Sequence, residues 1–288
     1  MSGADAGHPF ETDTEPGWAA ELRLRFAAHG ERTELVERRH YGPLRVQRPF
    51  HPEPSGTCHV YVLHPPGGVV GGDRLALEVA ADPGARALLT TPAATKLYRS
   101  AGARAYVRQT LRVADGAWLE WLPHETIAFS AAQAELTTRV ELQPGARFLG
   151  WEVLCLGRPA AGERFDRGEV RQRIEIVMGD KLAYCERGSY AAGSDVLSAA
   201  WGLRGQPVTG TLIAAGVDVS QHIDELRLAY GVVEGPALAA VSCIGDVCVA
   251  RYLGPSTEQA RGCFLRLWEV LRPLVCGVPA VAPRIWAT

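Results

Sequence analysis

The feature that most constrains this chain is a succession of short segments in which apolar and polar residues alternate, each closed by a turn rich in glycine or proline. Leu22, Leu24 and Phe26 fall on one face of the first segment and Glu21, Arg23 and Arg25 on the other, the period-two pattern of a half-buried strand. Residues 33–38 and 44–50 repeat the pattern weakly; residues 58–64, 75–79, 85–91, 103–113, 117–122, 134–142, 148–156, 170–177 and 181–187 also read as strands. Asp82-Pro83-Gly84, Asp115-Gly116, Pro144-Gly145 and Met178-Gly179-Asp180 lie between consecutive segments. Proline presets φ and glycine accepts positive φ, so these are turns, and residues 75–79 and 85–91 are expected to form a hairpin. So many short strands on short connections predict a mostly β, largely antiparallel fold.

Helices are the minority. Residues 256–271 carry the clearest one: Ser256 and Gln259 resemble a capping box, Ala260, Phe264, Leu267 and Leu271 form an apolar stripe, and Pro273 is expected to stop the helix. A weaker helix is read over residues 221–230, with Ile223, Leu226 and Tyr230 inward. Residues 1–17 are polar and acidic, with Pro9 and Pro16, and read as a flexible tail. No repeat or linker follows, so residues 18–288 read as a single domain.

With 288 residues, 47% of them hydrophobic, the chain can bury a full core. A net charge of −2 argues against a nucleic-acid binder, which needs a basic face to neutralise phosphates. The cysteines at 58, 155, 185, 243, 248, 263 and 276 are odd in number and scattered, unlike a disulfide framework, and suit a reducing, cytoplasmic setting. The N-terminus is acidic where a signal peptide would be basic and then apolar. The apolar region 232–253 is broken by Glu234, Asp246 and Arg251, so no membrane helix is expected.

Residues 64–100 are the most locally specified part of the chain. Two glycine pairs, Gly67-Gly68 and Gly71-Gly72, flank Val69-Val70 and deliver the backbone to Asp73. Gly67 and Gly72 fit the two glycines of a phosphate loop, but Asp73 and Arg74 stand where Lys and Ser or Thr are required, and an aspartate repels phosphate. The dinucleotide spacing fails too, because Val69 and Val70 occupy the positions of its second glycine. His124-Glu125 begins like a zinc-protease motif, yet Ala128 holds the second histidine position. Cys58 and His64 share a strand face but lie roughly 20 Å apart at about 3.3 Å per residue, too far to chelate one ion. Cys243 and Cys248 lack a second pair and read as core residues.

What remains is carboxylate chemistry at Asp73 and Glu186. Either each serves the fold, Asp73 capping a turn or pairing with Arg74 and Glu186 pairing with Arg187, or they are oxygen ligands that hold a transition metal only loosely. A metal-dependent hydrolase centred on Asp73, His124 and Glu125 is the alternative enzymatic reading, with no complete motif behind it.

Five stretches in order, HPPGGVVGGDRL, LLTTPAATKLYRS, LEWLPHETIAF, GWEVLCLGRPAAGERFDRG and LRPLVCGVPAVAPRIWAT, resemble the UreD (UreH) family of urease accessory proteins over nearly the whole chain after the tail. The resemblance implies a two-layered, largely antiparallel β-sheet fold with about two α-helices towards the C-terminus. It implies a non-enzymatic maturation factor, a chaperone of metallocentre assembly that binds the urease apoprotein together with UreF and the GTPase UreG. The missing phosphate loop then belongs to the GTPase partner. An internal water-filled tunnel is implied as the nickel path, with Asp73 and Glu186 at acidic positions of that route. Gly71, Gly72, Lys96 and Tyr98 fall in matching motifs with a structural or tunnel-lining part. No permanently bound cofactor is expected, only Ni²⁺ in transfer; neither nucleic acid nor membrane is expected as a partner.

Overall fold

The computed structural model describes residues 17–287, so nearly all of the expected flexible tail at residues 1–17 lies outside the described residues. In its first half, β1 (Ala19–His29) turns back into β2 (Arg32–Tyr41), followed by β3 (Arg45–Val46), β4 (Cys58–Leu63), β5 (Arg74–Ala81) and β6 (Arg86–Thr90). Next come β7 (Thr95–Leu97), β8 (Ala105–Val113), β9 (Trp118–Trp121), β10 (Thr126–Ala128), β11 (Gln133–Leu142) and β12 (Arg147–Arg158). The remainder comprises β13 (Glu163–Arg164), β14 (Glu169–Met178), β15 (Lys181–Ala191), α1 (Asp195–Ser198), β16 (Val208–Ala215), α2 (Ile223–Tyr230), β17 (Leu238–Ile244), β18 (Val247–Gly254) and α3 (Thr257–Cys276).

The strands form two stacked sheets. One has seven strands in the order β15-β14-β11-β8-β5-β1-β2; the main run of the other is β17-β18-β16-β12-β9-β6-β4-β3. The mostly β, two-layered reading with its helices towards the C-terminus holds, but the ladders are mixed. β5, β8 and β11 pair in parallel in one sheet, and β6, β9 and β12 pair in parallel in the other. The cause lies in the turns. Those at Gly84, Gly116 and Gly145, all at positive φ, carry the chain from one layer into the other instead of closing a hairpin within a sheet. Each strand therefore re-enters its own layer in the same direction as its predecessor. The expected pairing of residues 75–79 with 85–91 is replaced by this crossing, and the turns stack on one another, with Gly84 N–H donating to the Asp115 carbonyl at 3.1 Å. Antiparallel pairing is confined to the flanks: β1–β2, β3–β4, β14–β15 and the meander from β12 through β16 and β18 to β17, with a short pairing of β13 on β12.

Two apolar layers result. Between the sheets lie Leu22, Phe26, Val79, Leu89, Leu119, Val140 and Ile176, all fully or almost fully buried. The outer face of β12, β16 and β18 is covered by α2 and α3 through Trp151, Leu212, Leu226, Phe264, Leu267 and Leu271. β12 is thus covered on both faces, which is why residues 148–156 read as a nearly continuous apolar run. Each large apolar side chain buried in these layers contributes about 1.5–3 kcal/mol.

The Ser256 hydroxyl accepts the Gln259 N–H at 3.1 Å, as the capping box requires. Ser256→Ala should cost about 1 kcal/mol in urea denaturation, with no change in the far-ultraviolet spectrum of the folded protein. The helix does not stop at Pro273; it continues to Cys276 and ends at Gly277 in the left-handed conformation. Proline removes a single N–H there, whereas Arg272, Val275 and Cys276 are all buried by the added turn, and that packing prevails.

Cys243 and Cys248 depart from the expectation of unpaired core thiols. They stand opposite each other in the β17–β18 ladder and form a disulfide. The two-residue turn Gly245-Asp246 makes Ile244 and Val247 its hydrogen-bonded closing pair. The next pair out, Cys243 and Cys248, is then non-hydrogen-bonded, the kind in which facing side chains come closest.

Candidate functional site

A cavity of about 220 Å³ lies between the sheets. Its lining mixes apolar residues such as Leu77, Val107 and Trp121 with a polar set comprising Gln109, Thr138, Glu152 and Gln172, and its rim includes His64, Gly67, Gly68, Lys96 and His124. Glu152 is the acid of this space. It sits on β12, where alternation turns it away from α3 and towards the opposite sheet. Gln172 Nε2 donates to its Oε2 at 2.7 Å, and the Thr138 hydroxyl donates to its Oε1. Glu152 is only half-buried by surface area although it lies deep between the layers; the surface it shows is the wall of the cavity. Burial pushes its pKa up, the donors from Thr138 and Gln172 offset this only in part, and the nearby Glu186 carboxylate adds to the rise.

Glu186 projects from β15 and continues the same polar row. Its Oε1 accepts from the Thr211 hydroxyl at 3.0 Å, and Thr211 is the register partner of Glu152 in the β12–β16 ladder. Its Oε2 accepts from Tyr184 at 2.5 Å and from Arg251 at 3.0 Å. Burial, reinforced by the hydrogen bond to Glu186, pushes the Tyr184 phenol up to about 12. A polar path therefore runs from the cavity through Glu152, Thr211 and Glu186 to the exposed Arg251. The expected pairing of Glu186 with Arg187 is replaced by this contact with Arg251.

Asp73 stands at the far side of the glycine run and is buried. Its two carboxylate oxygens accept the backbone N–H groups of Trp18 and Val70, each at 2.9 Å, so it closes the turn before β5 and ties the entry of β1 to it. Asp73 is not among the residues lining the cavity, although its charge opposes the lowering by burial of the pKa of His64, which does line it. The glycines permit close approach. A Cβ on Gly68 would lie 2.2 Å from the Tyr98 ring, one on Gly71 would lie 2.2 Å from the Ser100 hydroxyl, and Gly72 holds φ at +89°. Tyr98 in turn packs edge-on against Phe129 at 5.1 Å, a structural part, whereas Lys96 reaches the cavity rim.

His124 and Glu125 do not join Asp73 in an enzymatic site. The Arg261 guanidinium is 3.0 Å from His124 Nδ1, and the hydrogen bond with His124 holds the Glu125 pKa down despite burial. Among the described residues no three His, Cys, Asp or Glu side chains converge into a closed metal site. Glu152 thus has a hydroxyl and an amide as neighbours, and Glu186 a hydroxyl, a phenol and the Arg251 guanidinium. Glu152 was missed in the sequence reading; its signal was a lone acid within the apolar run of residues 148–156.

Residues 19–287 match the family model described as UreD urease accessory protein. The chain belongs to the UreD family. A protein from Alkalilimnicola ehrlichii named urease accessory protein UreD is 46% identical over 287 residues, 99% of this chain and 97% of the relative. Relatives of the same name from Dechloromonas aromatica and Pseudomonas putida are each 45% identical, with 96% of this chain and 97% of theirs aligned. Membership of the UreD family places the chain among the accessory factors of urease maturation, which are not enzymes. No helix among the described residues is long and apolar enough to cross a membrane.

Proposed function

We propose that this chain is a cytoplasmic scaffold for urease activation that binds apo-urease together with UreF and the GTPase UreG and passes Ni²⁺ inward between its two sheets. The observation that supports this reading best is the polar row of Glu152, Thr211 and Glu186 leading out of an inter-sheet cavity. A dication moving through a low-dielectric interior needs charged or strongly polar neighbours at each stage. Ligands of imidazole or thiolate would hold Ni²⁺ too firmly for release, whereas isolated carboxylates and amides hold it briefly. Glu152, its pKa raised by burial, takes up a proton more readily than a free carboxylate, so transfer weakens as pH falls. Lys96 lines this space whereas Asp73 does not, and Glu186 continues the polar row beyond Glu152 and Thr211.

Expressing urease with UreF and UreG, with and without this chain, tests the reading. Urease nickel content and activity should both depend on the chain, and the chain should co-purify with UreF and apo-urease. Full activation without it would exclude the maturation role. Activation that requires the chain but withstands a block of the cavity would leave a scaffold without a metal route.

A further inference from the structure

Four strands end the main runs of the two sheets, and three of them are protected against pairing. β15 carries Lys181, Glu186 and Arg187, and its ladder shifts register near Ile176; β2 carries Arg32, Glu34, Glu37, Arg38 and Arg39 beside a register shift in β1; β3 has only two residues. Charges, irregularities and shortness are the usual devices that keep a sheet edge from recruiting another strand. β17 has none of them. Its seven residues, Leu238-Ala239-Ala240-Val241-Ser242-Cys243-Ile244, include no charge and no proline, and its ladder with β18 runs without a shift.

The phase of its backbone follows from the turn. Ile244 and Val247 close the Gly245-Asp246 turn, and the Asp246 carbonyl, one residue before Val247, faces β16 by accepting from Gly216 N–H at 3.0 Å. Leu238, Ala240, Ser242 and Ile244 thus direct their backbone groups at β18, and Ala239, Val241 and Cys243 direct theirs at the free edge. On the solvent face Leu238 is 45% exposed and Ile244 is 84% exposed. The strand is also a palindrome in side-chain size about Val241: Leu238 mirrors Ile244, Ala239 mirrors Cys243, and Ala240 mirrors Ser242.

We infer that a second copy of this chain docks antiparallel along β17, with a two-fold axis through Val241. A symmetric contact must be self-complementary, and this strand meets that condition residue by residue. Val241 faces its own counterpart as a hydrogen-bonded pair, Ala239 pairs with Cys243 on either side of it, and the exposed Leu238 packs on Ile244 of the other copy at both ends. The small residues between them let the backbones close, and no like charges meet. The two larger sheets then become one continuous sheet across the axis.

Sedimentation equilibrium of the full chain alone tests this. The chain should sediment at twice its 31.1 kDa mass. The double variant L238K/I244K, which changes two exposed side chains, puts lysine opposite lysine at both ends and should raise the dissociation constant at least about a hundredfold. Mixing it with L238E/I244E should restore the doubled mass, because each lysine then faces a glutamate. Amide exchange at Val241 and Cys243 should be slow in the wild type and fast in the lysine variant, while exchange at Ser242, whose backbone faces β18, should stay slow in both and so shows that the variant is folded. A single-chain mass at every concentration, a doubled mass that the lysines leave intact, or no recovery on mixing would overturn the inference, and capture of β17 by an accessory partner would then be the remaining use of that edge.

Discussion

Replacing Arg272 by methionine should destabilise the fold by about 3–5 kcal/mol, the cost of leaving buried charges without their partner. Arg272 is fully buried in α3. Its Nε lies 3.0 and 3.1 Å from the two oxygens of Glu120 on β9, its Nη2 donates to Glu53 at 2.7 Å, and its Nη1 donates to the Pro279 carbonyl. Trp268 Nε1 also donates to Glu120 at 2.7 Å, and His59 Nε2 lies 2.5 Å from Glu53. One guanidinium thus fastens the C-terminal helix to β9, to the segment before β4 and to the chain end. Burial opposes ionisation of both acids. At Glu53 the hydrogen bonds from His59 and Arg272 prevail and hold its pKa at about 2, whereas at Glu120 burial leaves it raised. Urea denaturation at neutral pH measures the loss. The triple variant E53Q/E120Q/R272M should be less destabilised than R272M alone, because it removes the unpaired charges together. The pH dependence has a definite sign. A lowered carboxylate pKa gives stability that is fully present above the unfolded value, 4.5, and is lost as pH falls towards about 2. E53Q should flatten stability across that window; an unchanged slope would mean that Glu53 is not ionised in the folded protein.

The period-two pattern placed most strands, since each sheet has a buried face that alternation must match. Pairing direction was not legible. Pro83-Gly84 can close a hairpin or cross between layers, and the choice depends on where the next strand finds its apolar partner, not on the turn itself. Pro273 misled for the same reason: helix termination is local, but the burial of Arg272 and Cys276 against distant strands is not. The C-x-x-x-x-C spacing of Cys243 and Cys248 carried its pairing once Gly245-Asp246 was read as a two-residue turn, an inference that requires the hairpin first. At the candidate site, the glycine run was legible as a place of close approach, and its contacts with Tyr98 and Ser100 bear that out. That Asp73 caps its own turn was legible, and the Val70 N–H bears it out; that it also holds Trp18 was not, because that N–H comes from far away in sequence. Glu186 lacked its neighbour Glu152 for the same reason: the two meet only when β12, β16 and β15 are stacked.

Glu152→Gln should reduce nickel loading of urease about tenfold or more, equivalent to about 1.4 kcal/mol on the passage of the ion, while the variant folds and binds its partners as before. The amide keeps the size of the carboxyl group and can still accept from Thr138, so stability should stay within about 1 kcal/mol of the wild type. What it loses is the negative charge that a dication needs beside it in the cavity. Asp73→Ala should behave in the opposite way. It leaves the N–H groups of Trp18 and Val70 without their acceptor, at about 1–3 kcal/mol each when buried, so thermal stability drops and nickel loading falls only in proportion to the folded protein that remains. Measuring melting temperature, UreF co-purification and urease nickel content on both variants separates the two roles. If Asp73→Ala melts normally and yet abolishes loading, Asp73 belongs to the route; if Glu152→Gln loads urease fully at every pH, the cavity does not carry the ion.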